Sequence, residues 1–144
     1  MAAYQKVLAA VDGSDESKRA LKKAIQEAVE NNAALVITHI IDTRTFATIE
    51  QYDRTIVSRA ENYGQELLEN YRKEAETGGV KDITTVLDFG SPKIKIPKDL
   101  AKRYQADLIV TGATGLNAVE RMLIGSVSEA IARHAKCDVL IVRS

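Results

Sequence analysis

Much that would announce a function is missing from this sequence. It contains one cysteine, Cys137, so no intramolecular disulfide can form, and a reducing, cytoplasmic setting is expected. It has no excess of charge, since 20 Lys and Arg balance 20 Asp and Glu. That balance gives no reason to expect nucleic acid or an acidic membrane surface as partner. No apolar run nears the length of a membrane span, and the opening Met1-Ala2-Ala3-Tyr4-Gln5-Lys6 lacks a signal-peptide core. The two histidines, His39 and His134, stand far apart with no cysteine or acid at ligand spacing, so structural roles are expected for both. The P-loop pattern G-x-x-x-x-G-K-[ST] is absent, as is the dinucleotide fingerprint G-x-G-x-x-G. There is no internal repeat, linker or low-complexity tract.

What remains is an ordinary globular composition, 45% apolar and 28% charged over 144 residues, expected to form one domain over 1–144. Five short apolar runs alternate with helical patterns. Residues 6–11 (KVLAAV), 34–41 (ALVITHII), 83–89 (ITTVLDF), 107–111 and 138–143 (DVLIVR) read as strands. Ser14 is a good N-cap, with Asp15 and Glu16 in the first turn of a helix burying Ala20, Leu21, Ala24, Ile25, Ala28 and Val29. Asn31-Asn32 ends it. Residues 42–48 read as a loop. A long helix is expected from about 49 to 77, with Ile56, Ala60, Tyr63, Leu67, Leu68, Tyr71 and Ala75 on one side and Gly78-Gly79 as its cap. A further helix follows Gly90-Ser91-Pro92. Either it begins at Pro97 or it is distorted there. The pattern predicts a doubly wound α/β fold with a parallel sheet.

Two turns at strand carboxyl ends stand out. Asp12-Gly13-Ser14 follows the first strand, where a helix cap is the plain reading. Thr111-Gly112-Ala113-Thr114-Gly115 follows the fourth; nine residues later comes Gly125-Ser126-Val127-Ser128, opening the last helix. Glycines allow close backbone approach, and a helix start offers unpaired N–H groups and a positive dipole end, a combination suited to phosphate. With strand order 3-2-1-4-5, both turns line the crevice where strand order reverses.

The spacing G-x-x-G, nine residues, G-[ST] resembles the ATP-binding branch of the universal stress protein family. The resemblance covers the whole chain and includes Val11-Asp12-Gly13-Ser14, Thr38-His39-Ile40-Ile41-Asp42, Gly90-Ser91-Pro92 and Val139-Leu140-Ile141-Val142. It implies a flavodoxin-like sheet of order 3-2-1-4-5, as also in adenine nucleotide alpha hydrolase-like proteins, and an ATP site. By that resemblance Ala10 and Val11 line the pocket, Asp12 meets the ribose, and the backbone of Ile40 meets adenine. Thr111, Gly112 and Gly115 approach ribose and phosphates, while Gly125, Ser126, Val127 and Ser128 hold the phosphates. Mg²⁺ or another divalent cation would arrive with the phosphates. One departure is Leu116, where many nucleotide-binding members carry a basic residue. Its presence makes AMP or ADP more plausible ligands, and leaves Arg121, the metal and backbone N–H groups to balance charge. No residue is placed to activate water, so little or no ATP hydrolysis is expected, at most slow turnover.

The expected role is nucleotide-dependent regulation in a stress response, with an unidentified protein partner. The alternatives are a slow ATP hydrolase or nucleotide-activating enzyme, a receiver-like phospho-acceptor built on Asp12, Asp88 and Thr111, and a ligand-free dimeric adaptor. A homodimer is expected through the fifth strand. It is an edge, and its run Val139, Leu140, Ile141, Val142 has no proline or mid-strand charge to block pairing.

Overall fold

The computed structural model describes residues 3–43, 54–113 and 124–143. The five apolar runs form β1 (Lys6–Ala10), β2 (Ala34–Asp42), β3 (Ile83–Gly90), β4 (Leu108–Gly112) and β5 (Asp138–Val142). They pair in parallel as one sheet of order β3-β2-β1-β4-β5, as expected. Alternation along the strands sends side chains to two cores. Val7, Ala9, Leu35, Ile37, Leu108 and Val110 meet helices α1 (Asp15–Asn31) and α2 (Arg54–Thr77) on one face. Leu8, Ala10, Val36, Ile40, Val86 and Ile109 point the other way. There they meet Ile96, Leu100 and Ala101 of the segment after β3, and Ile131 of α5 (Ser126–His134). The chain therefore changes faces between β1 and β4, which puts the reversal point at the centre of the sheet.

Helix ends follow from local chemistry. The Ser14 hydroxyl accepts the Ser17 N–H at 3.1 Å and starts α1. Asn32 closes it in the left-handed region at φ 50°, with Ala33 N–H reaching Ala28 O at 2.8 Å. Gly79, at φ 103°, closes α2 in the same way, with Val80 N–H on Ala75 O at 3.1 Å. The expected start of α2 near Ile49 lies outside the described residues.

Of the two readings at Pro97, distortion is realised. α3 (Pro92–Ile94) passes into a π-helical stretch, Lys95–Leu100, and then α4 (Ala101–Arg103). Proline has no N–H for the carbonyl four residues back, and the ladder widens so that Ala101 N–H bonds Ile96 O instead. Two apolar residues expected to be covered are not. Val29 and Tyr63 are exposed, because each lies at the margin of its helix's buried stripe.

Candidate functional site

The first turn is built from the inside. Val11 N–H donates to Thr38 O at 2.9 Å, and Val11 O is 3.0 Å from His39 Nδ1. Asp12 N–H reaches Ser17 Oγ at 3.3 Å, while Asp12 Oδ1 accepts Ser14 N–H at 2.9 Å. Gly13, at φ 86°, supplies the left-handed step between them. The helix-cap reading of this turn is correct as far as it goes. Among the described residues, the second Asp12 oxygen takes no hydrogen bond. His39 is structural, as expected, because its ring holds the Val11 carbonyl just beyond β1.

Beyond Ala10↔Thr38 the pairing of β1 with β2 stops, while β2 continues alongside β3 to Asp42↔Gly90. In a strand, N–H and C=O of residues two apart point to the same side. Thr38 O faces β1, so Ile40 N–H and C=O face the space that β1 has vacated. The Ile40 and Ala10 side chains are buried on the α5 side of the sheet, and Val11 on the opposite side.

The glycine loop begins at the end of β4. Thr111 and Gly112 are buried. A Cβ on Gly112 would stand 3.1 Å from Glu16 Cβ and 3.2 Å from its backbone C and O. The first turn of α1 thus rests on β4, which brings the two strand-end turns together. Ala113 N–H bonds Val142 O at 2.9 Å, and Ala113 O accepts Gly125 N–H at 2.6 Å. The Ser128 hydroxyl, buried, lies 2.8 Å from Ala113 O and 3.0 Å from Gly125 O. Ala113 at the end of β4 is therefore tied to Gly125 and Ser128 at the start of α5. Gly115, Leu116 and Arg121 lie outside the described residues.

At α5, Glu129 N–H makes the first helical bond, to Gly125 O at 3.0 Å. No side chain caps this end. Among the described residues the N–H groups of Ser126, Val127 and Ser128 have no acceptor; they lie at a positive dipole end, and Ser126 is exposed beside them. Among the described residues, no three His, Cys, Asp or Glu gather as a metal site, and no helix is long and apolar enough to cross a membrane.

The phospho-acceptor constellation does not come together. β2 separates Asp88 on β3 from Asp12 beyond β1. Burial pushes the Asp88 carboxyl up, but the Phe89 N–H at 2.8 Å and Lys95 at 3.3 Å outweigh it and hold it below the usual carboxylate range. Lys95 also binds Asp99 at 3.2 Å, which together with Asp88 raises its own pKa. This is an ion network pinning the segment after β3. Tyr71 poses a different question. Its hydroxyl is buried beside Ser17, whose own proton goes to Ser14 O, and no hydrogen bond of good geometry reaches it among the described residues.

The whole geometry has known counterparts. A profile of the Universal stress protein family matches residues 3–143, and the chain belongs to that family. A Staphylococcus epidermidis protein carrying the universal stress protein name is 50% identical over 144 residues, covering 100% of this chain and 87% of its own length. The solved universal stress protein UspA of Lactobacillus plantarum is 27% identical with a TM-score of 0.85, covering 99% of this chain and 100% of its own. A universal stress protein solved in complex with cAMP is 34% identical with a TM-score of 0.74, covering 99% of this chain and 98% of its own.

Proposed function

We propose that the crevice between the carboxyl ends of β1 and β4 binds an adenine nucleotide, and that the protein is a nucleotide-dependent regulator of the stress response. The observation that carries this reading is the side of β2 left open beyond β1. It presents one N–H donor and one C=O acceptor of Ile40, the pair an adenine edge requires. Asp12, with one oxygen anchored and the other without a hydrogen bond among the described residues, would accept a ribose hydroxyl. Ala10 and Val11 line the approach. Thr111 and Gly112 end β4 beside the crevice, and the family motif offers Gly115 to the ribose and phosphates. The orphan N–H groups of Ser126, Val127 and Ser128, following Gly125, suit a phosphate. In this reading the Ser128 hydroxyl keeps the loop closed while its N–H serves the ligand. A divalent cation such as Mg²⁺ would come with the phosphates of ATP. The cAMP complex of a relative supports an adenine ligand. No described residue is placed to activate water, which favours a switch over a hydrolase.

Thermal unfolding with and without ATP and Mg²⁺ tests the site. A ligand at a hundredfold excess over Kd stabilises by about 2.7 kcal/mol, or about 5–10 °C in a domain of this size. GTP should do less. Equal shifts with every nucleotide, or none with any, refute the proposal. Leu116 and the cAMP-bound relative favour a second reading, a nucleotide of lower charge. A larger shift with AMP or cAMP than with ATP would establish it. We further propose a homodimer through Val139, Leu140, Ile141 and Val142 of the β5 edge, half-buried where their counterparts on β1 are fully covered.

A further inference from the structure

Helix α2 reaches the first turn through two adjacent residues. Gly64 is the point of closest approach. A Cβ there would stand 2.8 Å from Leu87 Cδ1 and 2.9 Å from His39 Cδ2, so only glycine lets the helix settle against the imidazole. The imidazole in turn lies 3.0 Å from Val11 O through Nδ1. A carbonyl oxygen can only accept, so Nδ1 carries the proton and donates. Tyr63 then lays its ring edge-on to His39, with centroids 6.3 Å apart and planes at 73°. Its hydroxyl extends over Gly13, where any Cβ would collide with it.

Asp12 is thereby bracketed from the α2 side. His39 holds the carbonyl before it, and Tyr63 covers the residue after it. From the α1 side, Ser17 holds its N–H and Ser14 its carboxylate. Tyr63 does this while 51% exposed, so little of its surface belongs to the core. A tyrosine placed in this way does more for the turn than for the stability of the fold.

We propose that Tyr63, acting through its contacts with His39 and Gly13, is a positioning residue that holds Asp12 in its ribose-binding conformation. This rests on the adenine-nucleotide reading of the crevice. A turn already fixed in its bound form loses less freedom when ligand arrives, and that difference appears in affinity. Because Asp12 is the part being held, the gain belongs to the ribose and not to the base or phosphates.

The test measures Kd for ATP and for 2′-deoxy-ATP by calorimetry on the wild type, Tyr63→Ala and Tyr63→Phe, together with the melting temperature of each protein without ligand. Tyr63→Ala should weaken ATP about fivefold, equivalent to about 1 kcal/mol, and reduce the ATP to 2′-deoxy-ATP ratio towards one. Its melting temperature without ligand should match the wild type. Tyr63→Phe, which keeps the ring on His39 and loses the hydroxyl over Gly13, should give a ratio between those of the wild type and Tyr63→Ala. An unchanged ratio in Tyr63→Ala overturns the inference while leaving nucleotide binding intact. So does a loss of affinity accompanied by an equal loss of unliganded stability. A wild type that binds neither nucleotide overturns the nucleotide reading, and this inference with it.

Discussion

Replacing Ser128 by alanine separates two roles for one hydroxyl. The side chain is 3% exposed and lies 2.8 Å from Ala113 O and 3.0 Å from Gly125 O. One hydroxyl proton serves one acceptor at a time, so the variant loses one hydrogen bond. Neither carbonyl is stranded, because Ala113 O keeps Gly125 N–H and Gly125 O keeps Glu129 N–H. The loss should therefore be that of an ordinary buried hydrogen bond, about 1 kcal/mol, and not the larger penalty of an orphaned group. In a domain of this size that lowers the melting temperature by about 2–4 °C, in protein free of any ligand. Differential scanning calorimetry on the unliganded variant measures it directly. Ser126→Ala is the control. Ser126 is exposed at the same helix start, so its removal should leave unliganded stability within about 0.5 kcal/mol and reduce only the nucleotide-induced shift. If Ser128→Ala leaves unliganded stability untouched and instead abolishes the nucleotide shift, the hydroxyl is a ligand group and the loop-closing argument is wrong.

Two further outcomes follow from the buried polar groups. Tyr71→Phe removes a buried hydroxyl that has no hydrogen-bond partner among the described residues, so urea unfolding should show unchanged or increased stability, by up to about 1–3 kcal/mol; a clear loss would mean that the hydroxyl does have a partner. Lys95→Met removes the cation that, with Phe89 N–H, lowers the Asp88 pKa. A carboxylate lowered in the folded state contributes stability above its unfolded pKa and loses it as pH falls through the folded one. The wild type should therefore exceed the variant near neutral pH, and the gap should shrink below the usual value of 3.8; a gap that persists or widens in acid would show that Lys95 acts through packing.

The helix caps at Ser14, Asn32 and Gly79 were legible because each depends on a few neighbouring residues and one backbone preference. So was the parallel sheet, since continuous β-branched runs between amphipathic helices can be covered only on both faces. The candidate site was half legible. The glycine spacing and the two turns marked where a ligand would lie, and the fold brings both turns to the reversal between β1 and β4. The division of labour within the motif was not legible. Gly112 read as a glycine for ligand approach; that the space above its Cα is filled by Glu16, nearly a hundred positions earlier in the chain, gives it a packing role that the spacing did not show. Ser128 read as a phosphate group, and its hydroxyl has a second use in tying Ala113 to Gly125.

Tyr63 shows the same boundary from the other direction. Helical periodicity placed it on the buried side, but periodicity records only an angle around the helix axis. How far the apolar stripe extends depends on what α2 packs against, and among the described residues Tyr63 meets the edge of the His39 ring and the turn at Gly13. By itself the sequence determined the strands, most of the helices and several of their caps, because these arise from periodicity and from interactions within one or two turns of chain, and the alternation of those elements gave the class of sheet. Which polar groups are consumed by the fold and which remain for a ligand was decided only by the tertiary structure, because a hydrogen bond between residues far apart in the chain exists only once packing has brought them within about 3 Å.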